Sequence, residues 1–406
     1  MKITLVHYAY TPVIGGVEFV MAQHAALFAR HGHEVRVVCG SGVSEHEGVE
    51  CVVIPDLLPT AEPVHEAQEA LTSPEPPERF SQLKASLKPA LREALSDADV
   101  IIVHNMMTMH FNIAATAALW ELAEERTPDA RWISWVHDIA SVDPDYPEAK
   151  GDHYPTNILS RSHPDMSPAV ISEKRQRQFC KLADLQPDNC PVVPNGIEFL
   201  PLLKLTKDVR RLTRKFGILY RDIVLIHPTR ILRRKNIELG IRTLAALKAQ
   251  GKSCLYLVTG APDPHNEATR EYGEELKALI EELDVGDESA FVSERFKVSD
   301  RDLISLYSIS DLLFLPSKQE GFGLPLLEAG LFRLPVFCTE IEPMKSVLEN
   351  NVHPFSLETS PEVIAQKILD TLEASPGFRA RKEVMRLYSW DVLFKKKISP
   401  ILFSPR

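Results

Sequence analysis

Residues 314–330 read Phe-Leu-Pro-Ser-Lys-Gln-Glu-Gly-Phe-Gly-Leu-Pro-Leu-Leu-Glu-Ala-Gly, and they carry the strongest structural signal in the sequence. An apolar strand ends near Leu315, a glycine-containing turn follows, and Pro325 stands where proline is favoured at the first position of a helix. The exposed backbone N–H groups at such a helix start suit an anion such as a pyrophosphate. The stretch therefore predicts one unit of a parallel α/β sheet with an anion site at its turn.

The same alternation of short apolar runs and helical patterns extends along the chain. The predicted strands cover residues 3–6, 34–39, 49–54, 100–104, 132–137, 223–227, 254–259, 289–293, 312–315 and 335–338. The predicted helices cover residues 17–30, 112–125, 237–249, 267–283, 300–308, 325–332 and 361–373. Alternating strands and helices imply parallel strands joined by right-handed crossovers. We predict an α/β fold with two Rossmann-like, doubly wound, parallel-sheet domains.

The length of 406 residues also favours two domains, because one hydrophobic core rarely fills so long a chain. We predict a first domain at residues 1–200 and a second at residues 201–387, with residues 388–406 returning to the first. Ligands of such sheets bind beyond the carboxyl ends of the strands, so two domains face to face predict a site in the cleft between them. Residues 55–78 are rich in Pro and Glu and are predicted to form a solvated excursion.

Composition excludes several classes of function. The net charge of −10 argues against non-specific binding to nucleic acid or to anionic lipid. The six cysteines form no C-x-x-C pair and no zinc-ligand spacing, which fits a reducing compartment. The sequence has no signal-peptide layout at its start and no apolar run near the ~20 residues that a membrane span needs. We therefore expect a cytoplasmic protein.

Residues 226–236, Ile-His-Pro-Thr-Arg-Ile-Leu-Arg-Arg-Lys-Asn, place four cations between a strand and a helix. Arg230 and Lys235 combine a planar fork with a point charge, the usual pair for phosphate oxygens. A solvated basic loop is the alternative. The position at the carboxyl end of a strand favours a ligand site.

Two carboxylates stand in the stretch quoted first. Glu320 is predicted in the turn and Glu328 on the first turn of the helix, so they could hold different hydroxyls of one ligand. The alternative is that glutamates near a helix start only complement the helix dipole.

In the first half, Gly15 and Gly16 follow the first strand, where paired glycines permit close approach of the backbone to a ligand. An ordinary turn explains them equally well, and the segment lacks the G-x-G-x-x-G fingerprint. His137 ends an apolar strand where a site of the first domain should open, although a structural histidine is the alternative. Residues 97–99, Asp-Ala-Asp, look like a metal clamp but precede their strand, so we predict no metal site there.

Taken together, these segments resemble glycosyltransferase family 4, the retaining enzymes of the GT-B fold related to sucrose and glycogen synthases. The resemblance runs in order along nearly the whole chain. It includes P-x-x-G-G at residues 12–16, His-Asp at 137–138, the segment 169–173, Pro-Asn-Gly-Ile-Glu at 194–198, Arg230 with Lys235, E-x7-E at Glu320 and Glu328, and the region around Trp390.

The resemblance implies a role for each matched residue. Arg230 and Lys235 would bind the donor pyrophosphate and steady the leaving nucleotide. The donor sugar would be held by Glu320 and the ribose hydroxyls by Glu328. The remaining implied donor contacts are His137 at the sugar, Gly15 and Gly16 at the phosphate, backbone contacts from Phe322, Gly323 and Leu324, and a base site near Val292, Ser293 and Phe296.

The implied reaction is retaining transfer of a hexose from a nucleotide sugar to a hydroxyl acceptor, without a metal or other cofactor. UDP-glucose is the first expectation for the donor and GDP-mannose the second, while the acceptor, a glycan, a lipid-linked sugar or a small molecule, is left open. Residues 294–296 and 340–343 depart from the family pattern, which leaves the base and the sugar pocket open. The alternatives are an inactive nucleotide-sugar-binding regulator, or an epimerase or phosphorylase of the same fold.

Residues 80–95 form an amphipathic stretch with Lys84, Lys88 and Arg92 on one stripe at i, i+4 spacing. Relatives that act on lipid acceptors use basic helices of the first domain in this way. A peripheral contact with the inner membrane is therefore kept as an alternative to an ordinary solvated face.

Overall fold

The computed structural model describes residues 1–13, 15–44, 46–69, 77–126, 128–146, 151–261 and 267–403. The chain divides into two compact units. The first comprises Met1–Ile197 together with Tyr388–Arg406, and the second comprises Glu198–Leu387.

The first unit is built on a six-stranded sheet in the order β3-β2-β1-β4-β5-β6, with every neighbouring pair parallel. Its strands are β1 (Lys2–Val6), β2 (Glu34–Cys39), β3 (Val49–Val53), β4 (Val100–His104), β5 (Arg131–Val136) and β6 (Met166–Val170). Its helices include α1 (Gly16–Arg30), α2 (Glu62–Glu69), α3 (Glu78–Leu95), α4 (Ile113–Glu124) and α5 (Glu173–Ala183).

The second unit repeats this topology in a sheet of order β12-β11-β10-β7-β8-β9, again with parallel pairs throughout. Its strands are β7 (Ile223–His227), β8 (Cys254–Val258), β9 (Ser289–Phe291), β10 (Leu312–Leu315), β11 (Val336–Thr339) and β12 (His353–Phe355). Its helices are α6 (Phe199–Leu203), α7 (Lys207–Phe216), α8 (Ile237–Ala249), α9 (Glu267–Glu282), α10 (Asp300–Ile309), α11 (Leu324–Leu331), α12 (Met344–Val347), α13 (Pro361–Ala374) and α14 (Pro376–Leu387).

Burial explains why the central strands are largely apolar. All five residues of β4 are buried, and its alternate side chains enter different cores, Ile101 and Val103 on one face of the sheet and Val100 and Ile102 on the other. Parallel sheets are covered on both faces, so their strands appear as continuous apolar runs. The prediction of two doubly wound, Rossmann-like sheets is confirmed.

Each sheet changes winding direction between its two central strands, which are β1 and β4 in the first unit and β7 and β10 in the second. The loops that leave the carboxyl ends of such a strand pair diverge to opposite faces and open a crevice, where ligands of doubly wound folds bind. The segments singled out in the sequence follow these central strands: residues 7–16 follow β1, residues 228–236 follow β7, and residues 316–323 follow β10.

One segment differs from its prediction. The solvated excursion expected at residues 55–78 contains α2, whose Val64 and Ala67 are buried in a core of the first unit, as is Leu57. Residues 70–76 lie outside the described part of the chain. The polar composition led to the wrong prediction because α2 is amphipathic and buries only one narrow stripe of side chains.

The segment after α14 belongs to the first unit and continues with α15 (Trp390–Leu393) and α16 (Ser399–Phe403). Trp390, Leu393 and Ile398 are almost completely buried in the same core as β1 and β2. Gly196 lies against this segment, because a Cβ built there would stand 2.6 Å from Cδ2 of Trp390. Only glycine permits this close approach.

The basic stripe of α3 packs against α4, and its cations are already paired. Lys84 and Lys88 contact the carboxylate of Glu121, and Lys88 also lies 2.7 Å from that of Glu125, which Arg92 contacts as well. The stripe therefore offers no set of unpaired cations to an anionic surface. In the described part of the chain, no helix combines the length and the apolar character needed to cross a membrane.

Candidate functional site

The cations of the loop after β7 differ in their contacts and in their exposure. Arg233 donates two hydrogen bonds to the carboxylate of Glu275 and lies over the ring of Tyr272, so its charge is directed away from the end of the strand. Arg230 is exposed, and none of the described residues forms a hydrogen bond or ion pair with its side chain. Lys235 is only 14% exposed. The loop thus presents Arg230 and Lys235 as separate positive charges in different surroundings.

Lys235 meets Glu320 of the loop after β10. Its Nζ lies 2.6 Å from Oε1 of Glu320, whose side chain is only 9% exposed. Oε1 also accepts a hydrogen bond from the hydroxyl of Ser317 at 2.6 Å. Arg234 approaches the other carboxylate oxygen at 3.7 Å. The structure therefore brings together two of the residues that the sequence placed at one site, 85 positions apart in the chain.

Backbone contacts fix the two loops to each other. The N–H of Lys318 donates to the carbonyl of Arg234 at 2.7 Å, and the guanidinium of Arg234 donates to the carbonyl of Gln319 at 3.0 Å. These contacts hold the loop after β7 and the loop after β10 together at the point where the sheet changes winding direction. Such preorganised charge binds a ligand with little reorganisation of the protein.

Glu328 lies one turn into α11 and is held from outside the two loops. Its Oε2 accepts a hydrogen bond of 2.6 Å from the hydroxyl of Tyr307, which is buried on α10. Before the helix, Gly323 adopts φ = +92°, a left-handed conformation that disfavours any residue with a side chain. Phe322 and Leu324 on either side of it are 51% and 61% exposed. The predicted backbone contacts at residues 322–324 thus lie in an accessible turn.

The predicted base region is less accessible. Val292 is fully buried in the core, so only its backbone could contact a ligand, and Phe296 is packed partly against the same core. The hydroxyl of Ser293 donates to the carbonyl of Gly260 at 2.8 Å and so fixes this turn to the end of β8. Glu294 and Arg295 are exposed.

In the first unit, His137 follows β5 and is held through its backbone. Oδ1 of Asn105 accepts the N–H groups of both His137 and Asp138, at 3.0 and 2.7 Å. Arg175 donates to the carbonyl of His137 at 3.0 Å and to the carboxylate of Asp138 at 2.6 Å. Asn105 itself has φ = +53°, which asparagine tolerates better than most residues. The position of His137 is therefore set by residues from two other segments.

The ring of His137 belongs to a buried group of histidines. Its Nε2 lies 3.3 Å from Nδ1 of His104, and the carbonyl of His104 contacts Nδ1 of His7 at 2.8 Å. His24 packs edge-on to Trp135 beside them, with ring centroids 4.7 Å apart. Burial lowers the pKa of His137 to about 4, so the ring is neutral at neutral pH. A neutral imidazole at this place can exchange a hydrogen bond with a ligand without carrying charge.

Glycines 15 and 16 differ in their surroundings. A Cβ at Gly15 would stand 2.1 Å from the carboxylate of Glu18, which in turn lies 3.8 Å from Nε2 of His7. Gly16 begins α1 and has open space around the place of its missing Cβ. Gly15 therefore makes room for Glu18, and Gly16 leaves the start of the helix uncovered.

The two aspartates that look like a metal clamp already have hydrogen-bond partners at the amino end of β4. Asp97 contacts Lys2 and accepts from Arg36 at 2.7 Å, and Asp99 accepts the backbone N–H of Lys2 at 2.7 Å. These contacts account for both carboxylates without a metal. Among the described residues, no group of three or more His, Cys, Asp and Glu side chains is arranged to hold a metal ion.

Sequence reasoning missed several residues that shape these arrangements, namely Asn105, Arg175, Tyr307 and Ser317. Asn105 follows a predicted strand, so its position at a strand end was a usable signal. Tyr307 gave none, because it lies on a different helix from Glu328 and only the tertiary fold places its hydroxyl at that carboxylate.

Comparison with known proteins assigns the chain to a family. The family model for Glycosyltransferase Family 4 matches residues 14–199, and that for Glycosyl transferases group 1 matches residues 208–385. The mannosylglucosylglycerate synthase of Petrotoga mobilis is 28% identical, over 77% of this chain and 72% of that protein. The synthase of the same name from Thermotoga maritima is 26% identical, over 85% of this chain and 82% of its own.

Among solved structures, that of WaaG, a glycosyltransferase of lipopolysaccharide biosynthesis, aligns with 99% of this chain and 100% of its own at 20% identity and a TM-score of 0.36. The two family models follow each other along the chain and coincide with its two doubly wound sheets. The chain therefore belongs to the glycosyltransferases of family 4, which have the GT-B architecture.

Proposed function

We propose that this glycosyltransferase is a retaining, metal-independent hexosyltransferase that uses a nucleotide-sugar donor and a hydroxyl acceptor. The observation that carries the proposal is the arrangement at the carboxyl ends of β7 and β10. There, Lys235, Glu320 and Ser317 form a nearly buried polar cluster, with Glu328 and Arg230 in the same unit. The cluster combines cations for a diphosphate with carboxylates for hydroxyl groups.

Charge stabilisation is the main chemical task in this proposal. As the bond between the sugar and the diphosphate breaks, negative charge grows on the leaving phosphate oxygens. Arg230 and Lys235 would stabilise that charge, and the N–H groups at the start of α11 would assist. The departing oxygen would take the proton of the acceptor hydroxyl as the new bond forms on the same face of the sugar. Exclusion of water would limit the competing hydrolysis.

Carboxylates would orient the donor at two points. Glu320, fixed by Lys235 and Ser317, would accept hydrogen bonds from hydroxyls of the transferred sugar. Glu328 would accept from the ribose. In the first unit, the neutral His137 would contact the sugar near the reacting carbon, and the helix start at Gly15 and Gly16, uncovered at Gly16, would approach the phosphate.

Two donors are proposed, UDP-glucose and GDP-mannose. The names of the relatives from Petrotoga mobilis and Thermotoga maritima contain both a mannosyl and a glucosyl unit, so they support a hexose without selecting one. The acceptor is proposed only as a hydroxyl compound, whether a glycan, a lipid-linked sugar or a small molecule. A peripheral membrane contact receives no support from the basic stripe of α3, whose cations are paired.

The test is to incubate the purified protein with a panel of nucleotide sugars, with and without EDTA, and to measure the release of free nucleotide. We expect slow release from one hexose donor, unaffected by EDTA and accelerated by the correct acceptor. The anomeric proton coupling of the product, measured by NMR, should match that of the donor.

Three results would contradict the proposal. Activity lost with EDTA and restored by manganese or magnesium would refute metal independence, and an inverted anomer would refute retention. Tight donor binding with no turnover for any acceptor would instead identify a nucleotide-sugar-binding protein without catalysis.

A further inference from the structure

Tyr307 forms an unusual contact for a core residue. It lies on α10, is 2% exposed, and its hydroxyl stands 2.6 Å from Oε2 of Glu328 on α11. Its ring stacks on Phe332, with centroids 5.3 Å apart and planes inclined by 12°. A phenylalanine would fill the same space, so packing alone gives no reason for the hydroxyl.

The direction of this hydrogen bond is fixed by chemistry. Burial and the neighbouring carboxylate both raise the pKa of Tyr307, so the phenol keeps its proton and donates it to Glu328. Charge-assisted hydrogen bonds of this kind are about twice as strong as neutral ones. No other described residue donates to the Glu328 carboxylate, so Tyr307 alone determines which oxygen, Oε1, is left for a ligand.

We propose that Tyr307 is a positioning residue that holds Glu328 so that its second oxygen accepts from a vicinal diol of the nucleotide, and that it thereby sets the preference for ribose over 2′-deoxyribose. The inference rests on the proposed function, because it takes Glu328 to receive the ribose of the donor. Without the phenol, the carboxylate would rotate among several rotamers and lose part of its hydrogen-bonding geometry. Discrimination of a hydroxyl requires a partner held in place.

The experiment compares ribonucleotides with their 2′-deoxy counterparts on the full chain. Affinities for UDP and dUDP, and for GDP and dGDP, are measured by calorimetry for the unmodified protein and for Tyr307→Phe. We expect the unmodified protein to prefer the ribonucleotide. Tyr307→Phe should weaken ribonucleotide binding about fivefold to tenfold, the usual effect of one such hydrogen bond, and leave the deoxynucleotide nearly unchanged.

Two further variants separate positioning from structure. In Glu328→Ala, adding Tyr307→Phe should have no further effect on either nucleotide, because the two residues act through one contact. Tyr220→Phe is the matched control, since Tyr220 is 53% exposed in the same unit, and it should leave all affinities unchanged. With turnover, Tyr307→Phe should raise the donor KM and leave kcat within about twofold.

The outcomes show separately whether the role of Tyr307 and the proposed function hold. If Tyr307→Phe weakens ribonucleotide and deoxynucleotide equally, the hydroxyl is structural and the inference is wrong, while the proposed function stands. If the ribose preference persists unchanged in Tyr307→Phe, the inference is wrong in the same way. If neither UDP nor GDP binds the unmodified protein, the nucleotide-sugar proposal fails and the role of Tyr307 fails with it.

Discussion

Lys235 and Glu320 show how one pair of side chains can serve both the free and the bound protein. Each neutralises the other in a site where both are more than four-fifths buried. A buried charge without a partner is costly, so the pair keeps the loops after β7 and β10 ordered before a donor arrives. An incoming diphosphate would also pair with Lys235 and so weaken its contact with Glu320. The carboxylate of Glu320 could then bind a sugar hydroxyl.

This arrangement predicts different kinetic effects for neighbouring residues. Lys235→Ala should lower kcat about a hundredfold, or ~3 kcal/mol, because its charge matters most as the diphosphate departs. Glu320→Ala should resemble it, since Glu320 orients the sugar at the reacting carbon. Glu328→Ala should raise the donor KM with little change in kcat, because the ribose contact is the same before and during reaction. Steady-state kinetics at varied donor concentration measures each effect.

The control for this prediction is Arg233→Ala. Arg233 lies in the same loop but is paired with Glu275, so its removal should leave both constants close to those of the unmodified protein. The role assignment is refuted if Lys235→Ala changes only KM, or if Glu328→Ala abolishes kcat with donor binding intact.

At this scale the sequence predicted candidate ligand-binding residues but not the residues that hold them in place. Arg230, Lys235 and Glu320 follow strand ends, and Glu328 lies one turn into the helix after β10, so residue type and position both carry information. Ser317 stands only three residues before Glu320, whereas Tyr307 reaches Glu328 from another helix, a contact that the spacing of side chains along the chain does not encode.

Among the elements, α14 is attached to the second sheet by a buried ion pair. Nζ of Lys382 lies 2.6 Å from Oδ2 of Asp311, at the start of β10, and also donates to the carbonyl of Arg221 at 3.0 Å. Asp311 further accepts the N–H of Val224 on β7 at 2.8 Å. One carboxylate therefore joins a helix to two central strands.

Lys382→Met should destabilise the second unit by about 3–5 kcal/mol, because it leaves Asp311 buried without its counter-charge. The double variant with Asp311→Asn should recover part of this loss, since the amide oxygen can still accept from Val224 and no charge remains buried. Denaturant unfolding followed by far-UV circular dichroism measures both. Arg386→Met is the comparison, because Arg386 is 61% exposed in its ion pair with Asp222 and its loss should cost below about 1 kcal/mol.

A double variant no more stable than Lys382→Met would show that the charge on Asp311 is not the cause. An effect of Arg386→Met as large as that of Lys382→Met would show that any cation of α14 matters equally.

The strands that escaped prediction are β6 and β12, one edge strand of each sheet. Both are short and contain a proline, at residues 168 and 354, a residue that sheets tolerate chiefly at their edges. Their sequences lack the long apolar run that marks the central strands. Apolar patterning therefore predicted the centre of each sheet and missed one edge, because edge strands are defined by pairing more than by burial.

At the scale of the whole molecule, we expect the first unit to lose stability in acid. Among its described residues the first unit holds six buried histidines, and burial lowers the pKa of His7 to about 4, that of His24 to about 3, and that of His137 to about 4. Burial also lowers the pKa of His104 well below its ordinary value. Because each folded-state pKa lies below the unfolded value near 6.5, the unfolded state binds more protons in the interval between them.

Stability of the first unit should therefore fall as the pH drops below about 6.5, by up to about 1.4 kcal/mol per pH unit for each histidine. All four tryptophans of the chain, at positions 120, 132, 135 and 390, belong to the first unit, so their fluorescence in a denaturant titration reports that unit. Midpoints measured from about pH 7.5 to about pH 5 should decline steeply.

The variant His24→Phe should flatten this decline, because both ring nitrogens of His24 are buried without a hydrogen-bond partner among the described residues. His46→Gln, at an exposed histidine, is the control and should preserve the slope. A slope unchanged by His24→Phe would show that this ring does not titrate on unfolding.

A second prediction at this scale concerns the segment from Tyr388 onward. Leu393→Ala should destabilise the first unit by about 2–5 kcal/mol, because Leu393 is 3% exposed in the core of that unit. Tryptophan fluorescence should detect the loss, and Phe403→Ala, at a side chain that is 50% exposed, should have little effect. Equal effects of the two substitutions would show that the segment is not anchored through its buried face.

The same segment has a consequence for synthesis on the ribosome. Residues 198–387 form a continuous unit, which can complete its core while the nascent chain is still growing. The first unit is translated earlier but lacks Trp390, Leu393 and Ile398 until the ribosome has passed the whole of the second. The core around β1 and β2 therefore stays incomplete, with apolar surface uncovered, while about 190 further residues are translated. This takes on the order of 10–40 seconds. Chaperones that shield apolar surface should engage this protein through the part made first.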